Sequence, residues 1–184
     1  MKLIRHRLFF FIVTISMSLN SHKALAEVLP NRLPALNAAY SGKLNYIDYG
    51  SGKPVSIPLE IQFLTSKNGK NLIVDRVYTD PGFQVFSLSV MRYEKKSKAW
   101  IDENFESNGK STSTYNILEF SVSGNNHWKV VRNIVQQDDK RDALLTITDT
   151  FVDDEFRSET RVDYLDTDEN ENFRRNWIEL KVQP

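Results

Sequence analysis

The chain of 184 residues contains no cysteine. Without thiols it has no disulfides, no thiolate metal ligands and no thiol nucleophile. Of its three histidines, only His127 lies beyond the first 26 residues. A single imidazole without partner ligands favours a solvated turn residue over a metal site, and the alternative is haem binding through one histidine. We therefore expect no metal and no cofactor.

Catalytic and phosphate-binding motifs are also missing. No Gly-x-Ser-x-Gly occurs, and the serines have only His127 as a candidate histidine base. Gly109-Lys110-Ser111 ends like a phosphate-binding loop, but Asn104 stands where the first glycine belongs. The segment from Asp166 to Asn170 begins like a calcium loop, yet Glu171 occupies the glycine position, which indicates an acidic turn. No motif specifically supports an enzyme.

The first 26 residues have the layout of a secretory signal peptide. A basic start precedes an apolar run from Leu8 to Leu19, and the segment ends in Ala24-Leu25-Ala26. The run is shorter than the roughly 20 residues that span a bilayer, and serine and threonine interrupt it. We predict cleavage after Ala26, a periplasmic or secreted mature protein, and no stable membrane anchor.

The predicted mature chain has 158 residues, which fits one domain. Removing residues 1–26 takes away four of the 24 basic residues and no acidic one, which leaves a net charge of −4. A mildly acidic chain argues against nucleic acid as a partner. We expect an extended lead-in with a turn or two of helix over residues 27–39, then a single domain over residues 40–184.

Period-two alternation of apolar and polar residues dominates the rest of the chain and predicts half-buried β-strands. Beta-branched and aromatic residues are frequent in these stretches. The alternating positions are Ile57/Leu59/Ile61/Phe63, Leu72/Val74/Arg76/Tyr78, Phe86/Leu88/Val90/Arg92, Tyr115 to Val122, Trp128/Val130/Arg132/Ile134, Leu145/Ile147/Phe151, Phe156/Val162/Tyr164 and Phe173/Arg175/Trp177.

Short turn sequences separate these stretches, among them Asn68-Gly69, Asp80-Pro81-Gly82 and Asn108-Gly109. Asn-Gly pairs favour the left-handed backbone of a two-residue hairpin turn. Strands joined by such turns pair antiparallel, and closure of a long meander removes its exposed edges. We therefore predict an all-β fold, an up-and-down meander of about ten strands that forms a barrel or a strongly curved sheet.

This pattern resembles lipocalin-like and fatty-acid-binding-like barrels, of which exported relatives are common in bacteria. The resemblance covers most of the mature chain at the level of architecture. The Gly-x-Trp signature of lipocalins is absent, since Tyr40-Ser41-Gly42-Lys43-Leu44 stands where it is expected, and Arg174 or Arg175 is the candidate for their basic residue on the last strand, which is a weak signal. The resemblance implies a small barrel, and fold alone does not carry function.

Four arginines share the parity of the large apolar residues in their own strands, which predicts that they point inward. A buried arginine pairs internally, reaches the barrel mouth or faces an anionic ligand. The rarity of unpaired buried charge favours positions near strand ends or pairing with acidic neighbours. The candidate ligand-binding residues are these arginines with nearby aromatic residues, namely Arg76, Tyr78, Arg92, Tyr115, Arg132, Tyr164, Arg175 and Trp177.

Three functional hypotheses follow. The first is a periplasmic carrier that binds a small, partly apolar ligand with an acidic head group inside the barrel. The second is an interaction or assembly module that contacts another envelope protein through a curved sheet face or a strand edge. The third, with the least support, is a small hydrolase or isomerase in a barrel pocket.

Overall fold

A computed structural model describes residues 37–80, 82–123, 127–167 and 172–183. The predicted signal peptide and lead-in up to residue 36 lie outside these ranges, as do parts of the predicted turns at 124–126 and 168–171. The described residues form ten strands and no helix, and so contain no helical segment long and apolar enough to cross a membrane. The strands are β1 (Ala39–Ile47), β2 (Pro54–Thr65), β3 (Asn71–Asp80), β4 (Phe83–Glu94), β5 (Ala99–Glu106), β6 (Gly109–Ser123), β7 (His127–Asp138), β8 (Arg141–Val152), β9 (Glu155–Tyr164) and β10 (Phe173–Val182).

The ten strands form a closed antiparallel barrel, which confirms the predicted meander. Each strand pairs with its neighbours in sequence, and β1 pairs with β10 through seven residue pairs from Tyr40↔Val182 to Tyr46↔Asn176. The turns are short, and the Asp139-Lys140 turn between β7 and β8 has φ angles of 49° and 64°. Two consecutive positive φ values are typical of the hairpin turn whose twist matches the flanking strands.

Large apolar side chains fill one end of the barrel, where β1 and β3 begin and β2 and β10 end. We call this the aromatic end, and it contains Tyr40, Phe63, Trp128, Phe151 and Phe156. The ring centroids of Tyr40 and Phe63 lie 5.4 Å apart, and those of Phe63 and Phe156 lie 5.1 Å apart, both in edge-to-face geometry. A second apolar cluster, formed by Ala143, Leu145, Val162 and Tyr164, fills the opposite end on the β7–β10 side.

The predicted orientation of β4 is wrong. Ser87, Ser89 and Met91 are buried in the barrel, whereas Phe86 is 59% exposed and Leu88 is 40% exposed on its outer surface. The register places Ser87 beside Arg76 on β3, so the inner wall is polar at this level. Hydropathy alternation therefore assigned the residues of β4 to the opposite faces, and Arg92, which it placed inside, points outward.

The predicted orientation of Trp177 is also wrong. A β-bulge at Arg175 interrupts the pairing of β10 with β9 between Arg174 and Asn176. A bulge adds one residue to one strand and shifts the parity of the residues that follow. Phe173 and Arg175 therefore face the interior, and Trp177 lies on the outer surface beside Arg174.

Candidate ligand site inside the barrel

The barrel contains a cavity of about 70 Å³ between the aromatic end and a polar layer at mid-height. This is room for a few waters or a small chemical group, since pockets for drug-sized ligands measure about 300–1,000 Å³. Its lining is mostly apolar, with Ile61, Val74 and Met91 among the residues, and it also includes Arg76, Arg132 and Asp149. The cavity thus combines an apolar wall with a few polar groups, the usual composition of a small-molecule site.

Arg132, on the inner face of β7, is already neutralised within the barrel. Its Nη1 forms an ion pair with Asp149 Oδ2, and Ser158 Oγ donates a hydrogen bond of 2.6 Å to the other oxygen of Asp149. The guanidinium also lies over the rings of Tyr115 and Trp100, with its Cζ at 5.2 and 5.8 Å from their centroids. Arg132 is therefore held by a counter-charge and two aromatic faces.

Arg76, on the inner face of β3, has a neutral partner. Its Nη1 donates a 2.7 Å hydrogen bond to Ser89 Oγ, which donates at 3.1 Å to Asn104 Oδ1. Asn104 Nδ2 in turn donates at 2.6 Å to Glu106 Oε1, at the end of the barrel opposite the aromatic end. Within the described ranges no carboxylate oxygen lies within 4 Å of the Arg76 guanidinium. Arg76 therefore lines the cavity as a cation without a contacting anion.

Asp102 is the second interior carboxyl of this region, on the inner face of β5 two residues beyond Trp100. Burial raises the pKa of the Asp102 carboxyl above its ordinary value, and the charge of Arg76, the nearby hydroxyl of Ser89 and the charge of Arg132 oppose this rise. Its Oδ1 is buried and has no hydrogen-bond partner in the described part of the chain. Asp102 thus lacks the ion pair that Asp149 forms with Arg132.

Three buried N–H groups on residues that line the cavity have no acceptor among the described residues. They are Trp100 Nε1, Trp128 Nε1 and Arg132 Nε. A buried donor without an acceptor costs about 1–3 kcal/mol, so native structures contain few of them. Three such donors around one cavity suit a ligand that presents acceptor atoms.

The eight predicted site residues separate into three groups. Arg76 and Arg132 line the cavity, and Tyr78 and Tyr115 pack against the same core. Burial raises the pKa of the Tyr78 and Tyr115 phenols, which keeps both as neutral hydrogen-bonding groups. The other four, Tyr164, Arg175, Arg92 and Trp177, lie elsewhere.

Tyr164 and Arg175 belong to a separate polar cluster at the end opposite the aromatic end. Tyr164 Oη donates a 2.8 Å hydrogen bond to Asp138 Oδ2, and Arg175 Nε lies 3.7 Å from Asp138 Oδ1. Burial and the bond to Asp138 raise the pKa of Tyr164 to about 12. The Arg175 guanidinium also lies 3.2 Å from the ring centroid of Tyr49, in the β1–β2 loop. In this cluster Arg175 is paired with Asp138.

Arg92 and Trp177 lie on the outer surface. Arg92 Nη1 forms a 3.0 Å ion pair with Glu103 Oε1, and the guanidinium of Arg174 lies 3.8 Å from the Trp177 ring centroid. Phe86, Leu88 and Phe105 are also exposed there, and Leu88 is directly opposite Phe105 in the sheet. We call these three residues the outer apolar patch.

Sequence reasoning missed the polar residues that complete the interior. Asp102, Asn104 and Glu106 alternate with outward residues on β5 and share the parity of Trp100, a signal that reading β5 as a strand would have given. Asp149 was missed because its strand was recognised from its apolar positions alone. The partner of a buried arginine lies on another strand, so sequence spacing does not reveal it.

No metal centre is formed by the described residues, among which no group of three or more histidine, cysteine, aspartate or glutamate side chains lies close enough to hold an ion. His127 Nε2 lies 3.0 Å from Asp153 Oδ1 on the exposed surface. Its contact is an ordinary surface pair.

The sequence matches no protein-family model and no curated protein. The fold therefore defines the class, a small closed antiparallel barrel of ten strands. The function rests on the chemistry of the interior.

Proposed function

We propose that this protein is an exported carrier that binds a small, partly apolar anion inside its barrel. The observation that supports this most directly is Arg76, a cation that lines the cavity without a carboxylate within 4 Å in the described ranges. Arg76 is half-buried, and a guanidinium partly withdrawn from water without a contacting counter-charge is destabilised, a cost that an anionic ligand offsets. The unpartnered indole N–H groups of Trp100 and Trp128 add neutral donors.

The apolar residues of the cavity lining determine the non-polar part of the expected ligand. Ile61, Val74 and Met91 offer a surface that a short alkyl chain covers, gaining about 0.8 kcal/mol per buried CH₂. A cavity of about 70 Å³ admits a charged group with a short chain, and a long fatty acid would have to displace core side chains. We therefore narrow the expected ligand to a small amphiphile.

The three tryptophans allow a direct test. In a ¹⁵N-labelled protein the indole N–H signals of Trp100 and Trp128 report on the interior, and that of Trp177 on the outer surface serves as an internal control. We expect butanoate to shift the two interior signals and leave Trp177 unchanged. Methyl butanoate and butanol, titrated in parallel, should bind about tenfold more weakly, because they lack the charge-assisted bond.

Two variants test whether the preference for butanoate over its ester depends on Arg76. Arg76→Gln should lower butanoate affinity to that of the ester, whereas Arg92→Gln, on the outer wall, should change nothing. Failure of all three probes to shift the interior indole signals would overturn the proposal. Equal affinity for butanoate and its ester would remove the anionic part of it.

The outer apolar patch favours a second candidate, an envelope interaction module. Phe86, Leu88 and Phe105 together expose an apolar surface of the kind that often marks a protein contact. In-cell crosslinking should then give a defined complex with another envelope protein that Leu88→Ser abolishes. Such a complex, combined with no response to the three probes, would favour this candidate over the carrier.

A further inference from the structure

A series of hydrogen bonds links Arg76 to Glu106 at the end of the barrel opposite the aromatic end. Arg76 Nη1 donates to Ser89 Oγ, and the hydroxyls of Ser89 and Ser87 donate at 3.1 and 2.8 Å to Asn104 Oδ1. Asn104 Nδ2 in turn donates at 2.6 Å to Glu106 Oε1. Every donor in the series points towards Glu106. We call the side chains of Ser87, Ser89, Asn104 and Glu106 the polar relay.

The carboxylate of Glu106 determines the direction of these bonds. A serine hydroxyl donates or accepts, and an asparagine amide can present either end, but a carboxylate only accepts. Beside Glu106 the amide of Asn104 therefore turns its Nδ2 to the carboxylate and its Oδ1 to the two serines. Both hydroxyls then donate to Asn104, which leaves the lone pairs of Ser89 Oγ to accept from Arg76.

The polar relay runs from solvent into the barrel. Glu106 is exposed and Asn104 is half-buried, whereas Ser89 is only 1% exposed. The charge of Glu106 is therefore hydrated, while the hydroxyl of Ser89 must find its partners within the barrel. An exposed carboxylate thus sets the hydrogen bonding of a buried hydroxyl and leaves Arg76 without a contacting carboxylate in the described ranges.

We propose that Glu106 is a positioning residue, which acts through Asn104 and Ser89 to hold the guanidinium of Arg76 in place for a ligand's carboxylate. In the described part of the chain, Ser89 is the side chain that accepts a hydrogen bond from this guanidinium. An arginine fixed before binding loses less conformational entropy when the ligand arrives. This inference rests on the proposed function and adds to it a residue outside the cavity lining.

The charge of Glu106 makes the sign of one effect decisive. Glu106→Gln removes a negative charge near an anion site, so Coulomb attraction alone would tighten butanoate binding. The glutamine amide, however, can face Asn104 with its oxygen or its nitrogen, so the direction of the relay is lost. We therefore expect butanoate, followed by the indole signals of Trp100 and Trp128, to bind about two- to tenfold more weakly, the effect of one hydrogen bond. Methyl butanoate should bind as it does to the wild type.

Two further variants show whether the effect passes through the relay. Glu103→Gln removes the same charge from the adjacent outward position and should not weaken butanoate binding. Asn104→Ala interrupts the relay and should weaken it. In the Asn104→Ala background Glu106→Gln should strengthen butanoate binding, because only the Coulomb effect remains. Tighter butanoate binding by the Glu106→Gln single variant, or equal losses for butanoate and its ester, would overturn this inference.

A measurement on the free protein separates this inference from the proposed function. NMR of ¹³C,¹⁵N-labelled arginine gives the rate of rotation about the Cζ–Nε bond of Arg76, and Arg76→Gln identifies its signal. Rotation should be faster in Glu106→Gln than in the wild type and unchanged in Glu103→Gln. Equal rates in Glu106→Gln and the wild type would overturn this inference and leave the proposed function intact. No binding of butanoate or its neutral analogues by the wild type would overturn both.

Discussion

Removing the guanidinium of Arg132 should destabilise this protein far more than removing a surface arginine. In Arg132→Met the carboxylate of Asp149 stays buried with Ser158 as its remaining recorded partner. Breaking one half of a buried ion pair costs about 3–5 kcal/mol. For a domain of this size each kcal/mol corresponds to about 2–4 °C, so the melting temperature should fall by about 6–20 °C.

Urea unfolding at pH 7 measures the loss as a change in midpoint at constant slope. Arg92→Met is the matched control, because the side chains of Arg92 and Glu103 are 39% and 25% exposed and such pairs contribute at most about 1 kcal/mol. The double variant Arg132→Met/Asp149→Leu should recover most of the stability, less about 1 kcal/mol for the hydroxyl of Ser158. If Arg132→Met costs no more than Arg92→Met, the interior pair is solvated and the reasoning fails.

Two further predictions concern a glycine and a carboxyl. Gly42→Ala should destabilise the barrel by at least about 1–3 kcal/mol in urea unfolding, because a Cβ there would lie 2.0 Å from the backbone oxygen of Glu179. Gly50→Ala is the control and should be close to neutral, because the nearest atom to its Cβ would lie at 3.5 Å. Equal losses of stability in the two variants would contradict this prediction. Since burial raises the pKa of Asp102 in the folded state, stability should fall as pH rises from the ordinary value of 3.8 through that raised pKa. The stability of Asp102→Asn should not decline in this way. The variant should therefore be more stable than wild type at pH 7, but not at a pH below the ordinary pKa of aspartate. Stability profiles that run parallel for the two proteins across this pH range would refute the prediction.

The outcomes for β2 and β4 show where reading the sequence succeeds and where it fails. On β2, Ile57, Leu59, Ile61 and Phe63 are all buried, as alternation predicts, because their wall faces the apolar part of the interior. On β4 the same rule pointed Phe86 inward, although the interior at that height consists of serines bonded to polar neighbours. Alternation identifies the strand but cannot tell which face is the core when that core is polar.

Two of the eight candidate site residues, Arg76 and Arg132, line the cavity for a similar reason. Arg76 and Arg132 lie on strands whose apolar positions are truly interior, so their parity was informative. Trp177 was misplaced by a one-residue bulge at Arg175, which leaves no mark in the hydrophobic pattern. Tyr164 and Arg175 face inward but lie in a different layer, because parity gives direction and not height along the barrel.

The sequence by itself determined the all-β class and the antiparallel order, since period-two alternation and short turns act between residues that are close in the chain. Only the tertiary structure decided that β1 closes on β10, that Asp149 neutralises Arg132, and that Arg76 is left without a contacting carboxylate among the described residues. These features depend on the register and stagger of strands far apart in sequence. Closure brings their side chains together inside one barrel, where the pairing of Asp149 with Arg132 leaves Arg76 on the cavity wall without a contacting carboxylate in the described ranges.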